Sequence, residues 1–148
     1  MMFTIPGAPQ GKKRPRYSRK TGVMYTPSET VQYEKYVKEC FYSQGGKRFP
    51  ESTTIYAEGH REVEITQAIK VEIWSFIEPP KSAPKWKKRV MLYGSILPTR
   101  KPDIDNIGKV ILDALNGAAY RDDSAVTELT VHKVFSDEPR VVVEITKL

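Results

Sequence analysis

Cysteine is nearly missing from this chain. Among 148 residues there is one, Cys40, and only two histidines, His60 and His132. A single thiol closes no internal disulfide, so a disulfide-stapled secreted scaffold is excluded. Neither histidine stands at zinc-ligand spacing from the other or from Cys40, which removes the zinc-based chemistries. Cys40 sits in a helical pattern and reads as a small apolar core group. Long hydrophobic runs are absent too. None approaches the ~18 residues of a membrane-crossing helix. Met1–Pro6 is too short and too uncharged for a signal peptide. There are no internal repeats and no low-complexity tracts. The expectation is a single domain, residues 1–148, in a reducing cytoplasm. A chain of this length buries roughly 68–70% of its unfolded surface, enough for one core.

Charge is present, and it is unevenly placed. The net charge is +6. Residues 1–50 carry ten Lys/Arg against three acids, a net of +7; residues 51–100 carry eight against six, +2; residues 101–148 carry six against nine, −3. A basic surface set apart from an acidic segment suits an enzyme that holds phosphates in one place and a cation in another. Basic surfaces also serve solubility alone.

The acidic segment is the most informative. In Lys101-Pro-Asp-Ile-Asp-Asn-Ile-Gly-Lys-Val-Ile-Leu-Asp-Ala-Leu-Asn-Gly117, two carboxylates, Asp103 and Asp105, follow a proline at a spacing of two. In extended chain that spacing points both to one side. From about Ile104 the period becomes helical. Ile104, Ile107, Ile111, Ala114 and Leu115 share one arc, and Asp105, Asn106, Lys109, Asp113 and Asn116 the other. Gly117 is a natural helix stop. The loop Ala118–Ser124 adds Asp122 and Asp123. Mg²⁺ takes oxygen ligands, usually one or two carboxylates completed by water and phosphate. Asp103, Asp105 and Asp123 with Lys109 therefore fit metal-assisted phosphodiester hydrolysis. The same residues also fit plain helix architecture: Asp103 as N-cap, Asp105 favouring the helix dipole, Lys109–Asp113 as an i,i+4 pair, and Asp122–Ser124 as a turn. Spacing leaves both open. An EF-hand is excluded, because position five is Ile107 and position twelve is Ala114.

At these positions the chain also resembles a family. Pro-Asp-Ile-Asp-Asn-Ile-x-Lys, then Asp-Ala-Leu-Asn-Gly, Tyr-x-Asp-Asp-Ser, Val-x-x-Leu and Lys133 are similar to the RusA family of Holliday-junction resolvases. Gly11-Lys-Lys-Arg-Pro-Arg16 and Glu138-Pro-Arg-Val141 extend the likeness almost end to end. The resemblance implies a dimeric, Mg²⁺-dependent endodeoxyribonuclease, with Mn²⁺ able to substitute, that cuts four-way DNA junctions in recombination and repair. It places the catalytic and metal-holding carboxylates on Asp103, Asp105 and Asp123 and the essential lysine on Lys109. Asp113 and Asp122 match further acidic positions. Two other classes stay in view: a branched-DNA binder that does not cut, and a metal-dependent nuclease or phosphoesterase acting on simpler substrates.

Along the rest of the chain, Met1–Ile5 reads as an edge strand. Gln10–Lys20 is a loop with six Lys/Arg between Lys12 and Lys20, read as a phosphate-gripping arm through Lys12, Lys13, Arg14 and Arg16, or as a solvated loop. A turn at Lys20–Val23 leads to a returning strand, Val23–Thr26. Thr26 as N-cap, Pro27 at N1 and Glu29 at N3 predict a capped helix to about Tyr42, with Val31, Tyr33, Tyr36, Val37, Cys40 and Phe41 in the core. Ser43–Pro50 is a loop. Glu62–Ile77 is strand-like and two-sided from Ile73, with Val63, Ile65 and Ile69 assignable to it or to a preceding paired strand. Lys81–Tyr93 is a short helix ended by Gly94. Its Lys85, Lys87 and Lys88 face either DNA or solvent. Arg100 and Lys101 flank the carboxylates. Ala125–Phe135 and Arg140–Lys147 read as an antiparallel hairpin, with Val126, Leu129, Val131 and Val134 in the core and Lys133 projecting toward the site or to solvent. The expected fold is α/β or α+β, one mixed sheet of about five or six strands with about three helices.

Overall fold

Residues 69–77 place Ile69, Val71, Ile73 and Ser75 at alternate positions, and all four are buried. This strand is the centre of the molecule. The computed structural model describes all 148 residues. In chain order the elements are β1 (Met2–Pro6), β2 (Arg16–Tyr17), β3 (Met24–Tyr25), α1 (Ser28–Ser43), β4 (Ser52–Ala57), β5 (Arg61–Thr66), β6 (Ile69–Ile77), α2 (Lys85–Leu92), α3 (Ile104–Leu115), a 3₁₀ turn (Asp123–Ala125), β7 (Val126–Phe135) and β8 (Arg140–Lys147). The architecture is α+β. The main sheet has the order β1–β8–β6–β7, with β6 and β7 parallel and the other neighbours antiparallel.

Three helices and a mixed sheet are as the sequence predicts. The number of strands in that sheet is not. It holds four, while β2–β3 and β4–β5 form separate two-stranded ribbons. Val63 and Ile65 belong to β5, and Ser52–Ala57, a strand the periodicity did not reveal, is its partner. The predicted β7–β8 hairpin is also corrected. Both strands pair with β6, which lies between them. The link Ser136–Pro139 passes over the end of β6, and the Ser136 N–H donates to the Ile77 carbonyl at 2.9 Å. Two strand spacings are about 9.6 Å, within reach of four residues. A short turn signal gives the strands' relative direction but not whether they touch.

Helices α1 and α3 pack side by side on one face of the sheet, α1 over β1 and α3 over β7. Between them and the sheet lies the core: Phe3 and Ile5, Tyr33, Val37, Cys40 and Phe41, Ile107, Val110, Ile111, Ala114 and Leu115, and Val141, Val143 and Ile145. Val31 and Tyr36, expected there, flank the buried stripe of α1 and are exposed. The Tyr36 hydroxyl donates instead to the Pro6 carbonyl. Leu129 is exposed on the edge strand β7, and Ile104 is exposed on the first turn of α3, outside the buried stripe that begins at Ile107. The other face of β6 carries no helix. There Trp74 stacks on His132 with centroids 3.8 Å apart, and the Arg140 guanidinium lies over the Phe76 ring.

The predicted capping box of α1 is not formed. Pro27 occupies the N-cap without a side-chain bond, and the Glu29 carboxylate pairs with Lys13 of the basic arm. Gly46 closes the turn after α1 against Phe41. A Cβ there would lie 2.5 Å from the Phe41 carbonyl oxygen and 2.6 Å from its ring. Gly46→Ala is therefore expected to destabilise the fold by about 1–3 kcal/mol through overpacking. Urea denaturation of the variant beside the native chain checks this, and an unchanged midpoint counts against it.

Candidate active site

Asp103 stands immediately before α3, at its N-cap position, yet makes no cap hydrogen bond. Asp105 is exposed on the first turn. Neither carboxylate takes part in an ion pair within the chain. The helix thus leaves both acids free, which the plain N-cap reading of Asp103 does not predict. Both line one open hollow of about 660 Å³ together with Lys133. Lys133 Nζ donates to the Arg100 carbonyl at 2.5 Å, which holds its ammonium beside the carboxylates. Lys133 therefore lines the same hollow as the two carboxylates.

Lys109 lies one turn beyond Asp105 on the same exposed stripe, so the two are neighbours on the helix surface. The expected Lys109–Asp113 pair does not form. Asp113 is taken by Lys12, and Lys109 keeps an unpaired ammonium. Asp123 begins the 3₁₀ turn, which packs against α3. The Tyr120 side chain lies among Asp113, Asp122 and Asp123. Burial pushes its phenol well above the ordinary value, and those three negative charges push it further. The Ser124 hydroxyl donates to Asp122 Oδ2 at 2.7 Å and holds that acid below the usual carboxylate range.

The acids therefore sort into two sets along α3: Asp103 and Asp105 at its start, and Asp113, Asp122 and Asp123 around Tyr120. No three acidic, histidine or cysteine side chains are gathered closely enough to enclose a metal ion. Two free carboxylates opening onto one hollow do match a hard divalent cation of the Mg²⁺ kind, which takes its remaining ligands from water and phosphate.

The basic arm lies against the other side of Asp103. Arg14, Arg16, Lys101, Asn106 and Asp103 line a second hollow, of about 680 Å³. Gly11 lets the arm approach this closely: a Cβ there would meet Asn106 Cβ at 3.1 Å and Pro102 Cβ at 3.2 Å. The Lys12 N–H donates to the Asn106 carbonyl at 2.8 Å. The Lys12 ammonium bonds to Glu34 on α1 at 2.8 Å and to Asp113 on α3 at 2.5 Å. Lys12 thus fastens the arm, and Arg14 and Arg16 are the arm cations left facing the hollow. Lys13 lines the same hollow but is paired with Glu29. Lys85, Lys87 and Lys88 on α2 border neither hollow. Asn106 and Glu34 are site residues that spacing did not single out. Asn106 was visible only as a member of the polar arc of α3.

The chain is 34% identical over 151 residues to the uncharacterized protein YqaN of Bacillus subtilis (strain 168), an alignment that covers 99% of this chain and 95% of that one. The family profile described as "Endodeoxyribonuclease RusA" matches residues 6–58 and 39–146. This chain belongs to the RusA family of endodeoxyribonucleases.

Proposed function

We propose that this protein is a structure-specific endodeoxyribonuclease that resolves four-way DNA junctions by paired phosphodiester hydrolysis. The observation that carries the proposal is that Asp103 borders both hollows, the basic one lined by Arg14, Arg16 and Lys101 and the one it shares with Asp105. A phosphate backbone gripped at Arg14, Arg16 and Lys101 leads directly to the carboxylates. Asp103 and Asp105 would hold Mg²⁺ or Mn²⁺, and the ion would supply Lewis-acid activation; Asp123, the third carboxylate the resemblance implies, stands apart from them in the set around Tyr120. Lys109 neutralises the charge that builds on the phosphate as water displaces the leaving oxygen in line. No covalent enzyme intermediate is required. Lys133, bonded to the Arg100 carbonyl, would face the same phosphate from the hollow it shares with Asp103 and Asp105.

The 148 residues act as one catalytic domain in the cytoplasm, in recombination or repair. No helix is long and apolar enough to cross a membrane. A four-way junction has approximate two-fold symmetry and needs two matched cuts, which a homodimer with one site per subunit delivers.

Incubation of the protein with a four-way junction, a linear duplex and a single strand, each with Mg²⁺ or EDTA, tests this. Paired nicks in the junction alone, and only with Mg²⁺, are expected. Binding without cutting would make the protein a junction-holding factor. Equal cutting of the linear duplex would make it a less selective nuclease.

A further inference from the structure

The basic arm ends in a hairpin whose apolar side chains are bare. Tyr17 is 61% exposed, Val23 60%, Met24 59% and Tyr25 48%. The ribbon β2–β3 pairs only with itself. Its register sets Tyr17 opposite Met24 and Arg16 opposite Tyr25. Cross-strand partners share a face, so one face offers Tyr17 and Met24 and the other Tyr25 beside Arg16. No second layer covers either face.

Single exposed apolar residues are ordinary, but four of them together at the end of one projecting element are not. Arg16, Arg19 and Lys20 belong to the same hairpin. Exposed aromatics framed by cations suit a nucleic acid, whose bases stack on rings while its phosphates meet the charges. Arg16 belongs to the ribbon and also lines the basic hollow with Asp103, so the ribbon begins where the phosphate grip ends. Within continuous duplex each base face is covered by the next base pair. At a branch the stack is interrupted, and base faces become available to a ring.

We propose that the β2–β3 ribbon is a branch-point wedge. Tyr17 and Tyr25 stack on the base faces exposed where the DNA arms meet, and Arg19 and Lys20 hold the flanking phosphates. This rests on the junction-cutting reading above and adds to it the residues that select a branch over a plain duplex.

The test compares the native chain with Tyr17→Ala/Tyr25→Ala, Tyr17→Phe/Tyr25→Phe and Arg14→Ala. Each is titrated in EDTA, at one salt concentration, against a four-way junction and a linear duplex of equal length, with thermal melts to confirm the fold. The ratio of junction to duplex affinity should fall about tenfold or more in the alanine pair. The phenylalanine pair, which keeps both rings, should retain the ratio. Arg14→Ala should weaken both substrates and leave the ratio in place. A native preference for junctions that survives in the alanine pair overturns the wedge and leaves the nuclease reading standing. Equal losses on both substrates do the same. A native chain with no junction preference overturns the junction reading itself.

Discussion

Asp105→Asn is expected to lower DNA cleavage by more than about a hundredfold, since loss of even an outer partner of a metal ligand costs about 10–100-fold. Junction binding in EDTA should persist. Asp105 lies on the first turn of α3, exposed and outside every ion pair, and its only structural contribution is to the helix dipole. That contribution is about 0.3–1 kcal/mol, so the variant should melt close to the native chain. The substitution keeps the shape of the side chain and removes its negative charge, which a divalent cation requires. Cleavage assays with Mg²⁺, run beside binding titrations without it, separate the two effects. Full cutting by the variant would reject the metal-holding role.

Lys12→Met should have the largest effect on the architecture of the site. The lysine is only 20% exposed and joins two carboxylates that are themselves 23% and 24% exposed, Glu34 and Asp113. Methionine preserves the apolar stem but strands two neighbouring acids. A loss of about 1–3 kcal/mol in unfolding stability is expected, less than for a fully buried pair because water still reaches all three groups. The arm should also lift from α3, so the Lys12 amide, now bonded to the Asn106 carbonyl, should exchange faster in hydrogen exchange. A lysine that only gripped phosphate would show the reverse: weaker DNA binding with stability and exchange unaltered. The tether has a pH signature. Burial by itself pulls the Lys12 ammonium down, but its bonds to Asp113 and Glu34 outweigh this and hold it above the ordinary 10.5. The folded state therefore binds that proton more tightly than the unfolded chain does. Its stabilising contribution is complete below about pH 10.5 and is lost as the pH climbs through the higher folded-state value. The native chain should lose stability there more steeply than Lys12→Met.

Much of the site is legible in the order of residues because it is local. Asp103, Asp105 and Lys109 lie within two turns of one helix, and a helix imposes its spacing on whatever sequence forms it. The apolar stripe of α3 is legible for the same reason, down to Gly117 as its end. The helix α2 is legible as an element, yet the place of its lysines is not, because nothing within eight residues records which way a peripheral helix is turned.

Residue order alone determined the two amphipathic helices of the core, the four strands of the main sheet, the carboxylate pair ahead of a helix, and the separation of basic from acidic segments. These depend on periodicity and on bonds between near neighbours. Tertiary structure alone decided that β6 parts β7 from β8, that Lys12 answers to Asp113 across 101 residues while Lys109 stays free, and that Asp103 borders two hollows at once. Each of those is a choice among chemically equivalent partners, several lysines for one acid or several strands for one edge. Which partner wins is set by the burial of the whole core, not by any short stretch of chain.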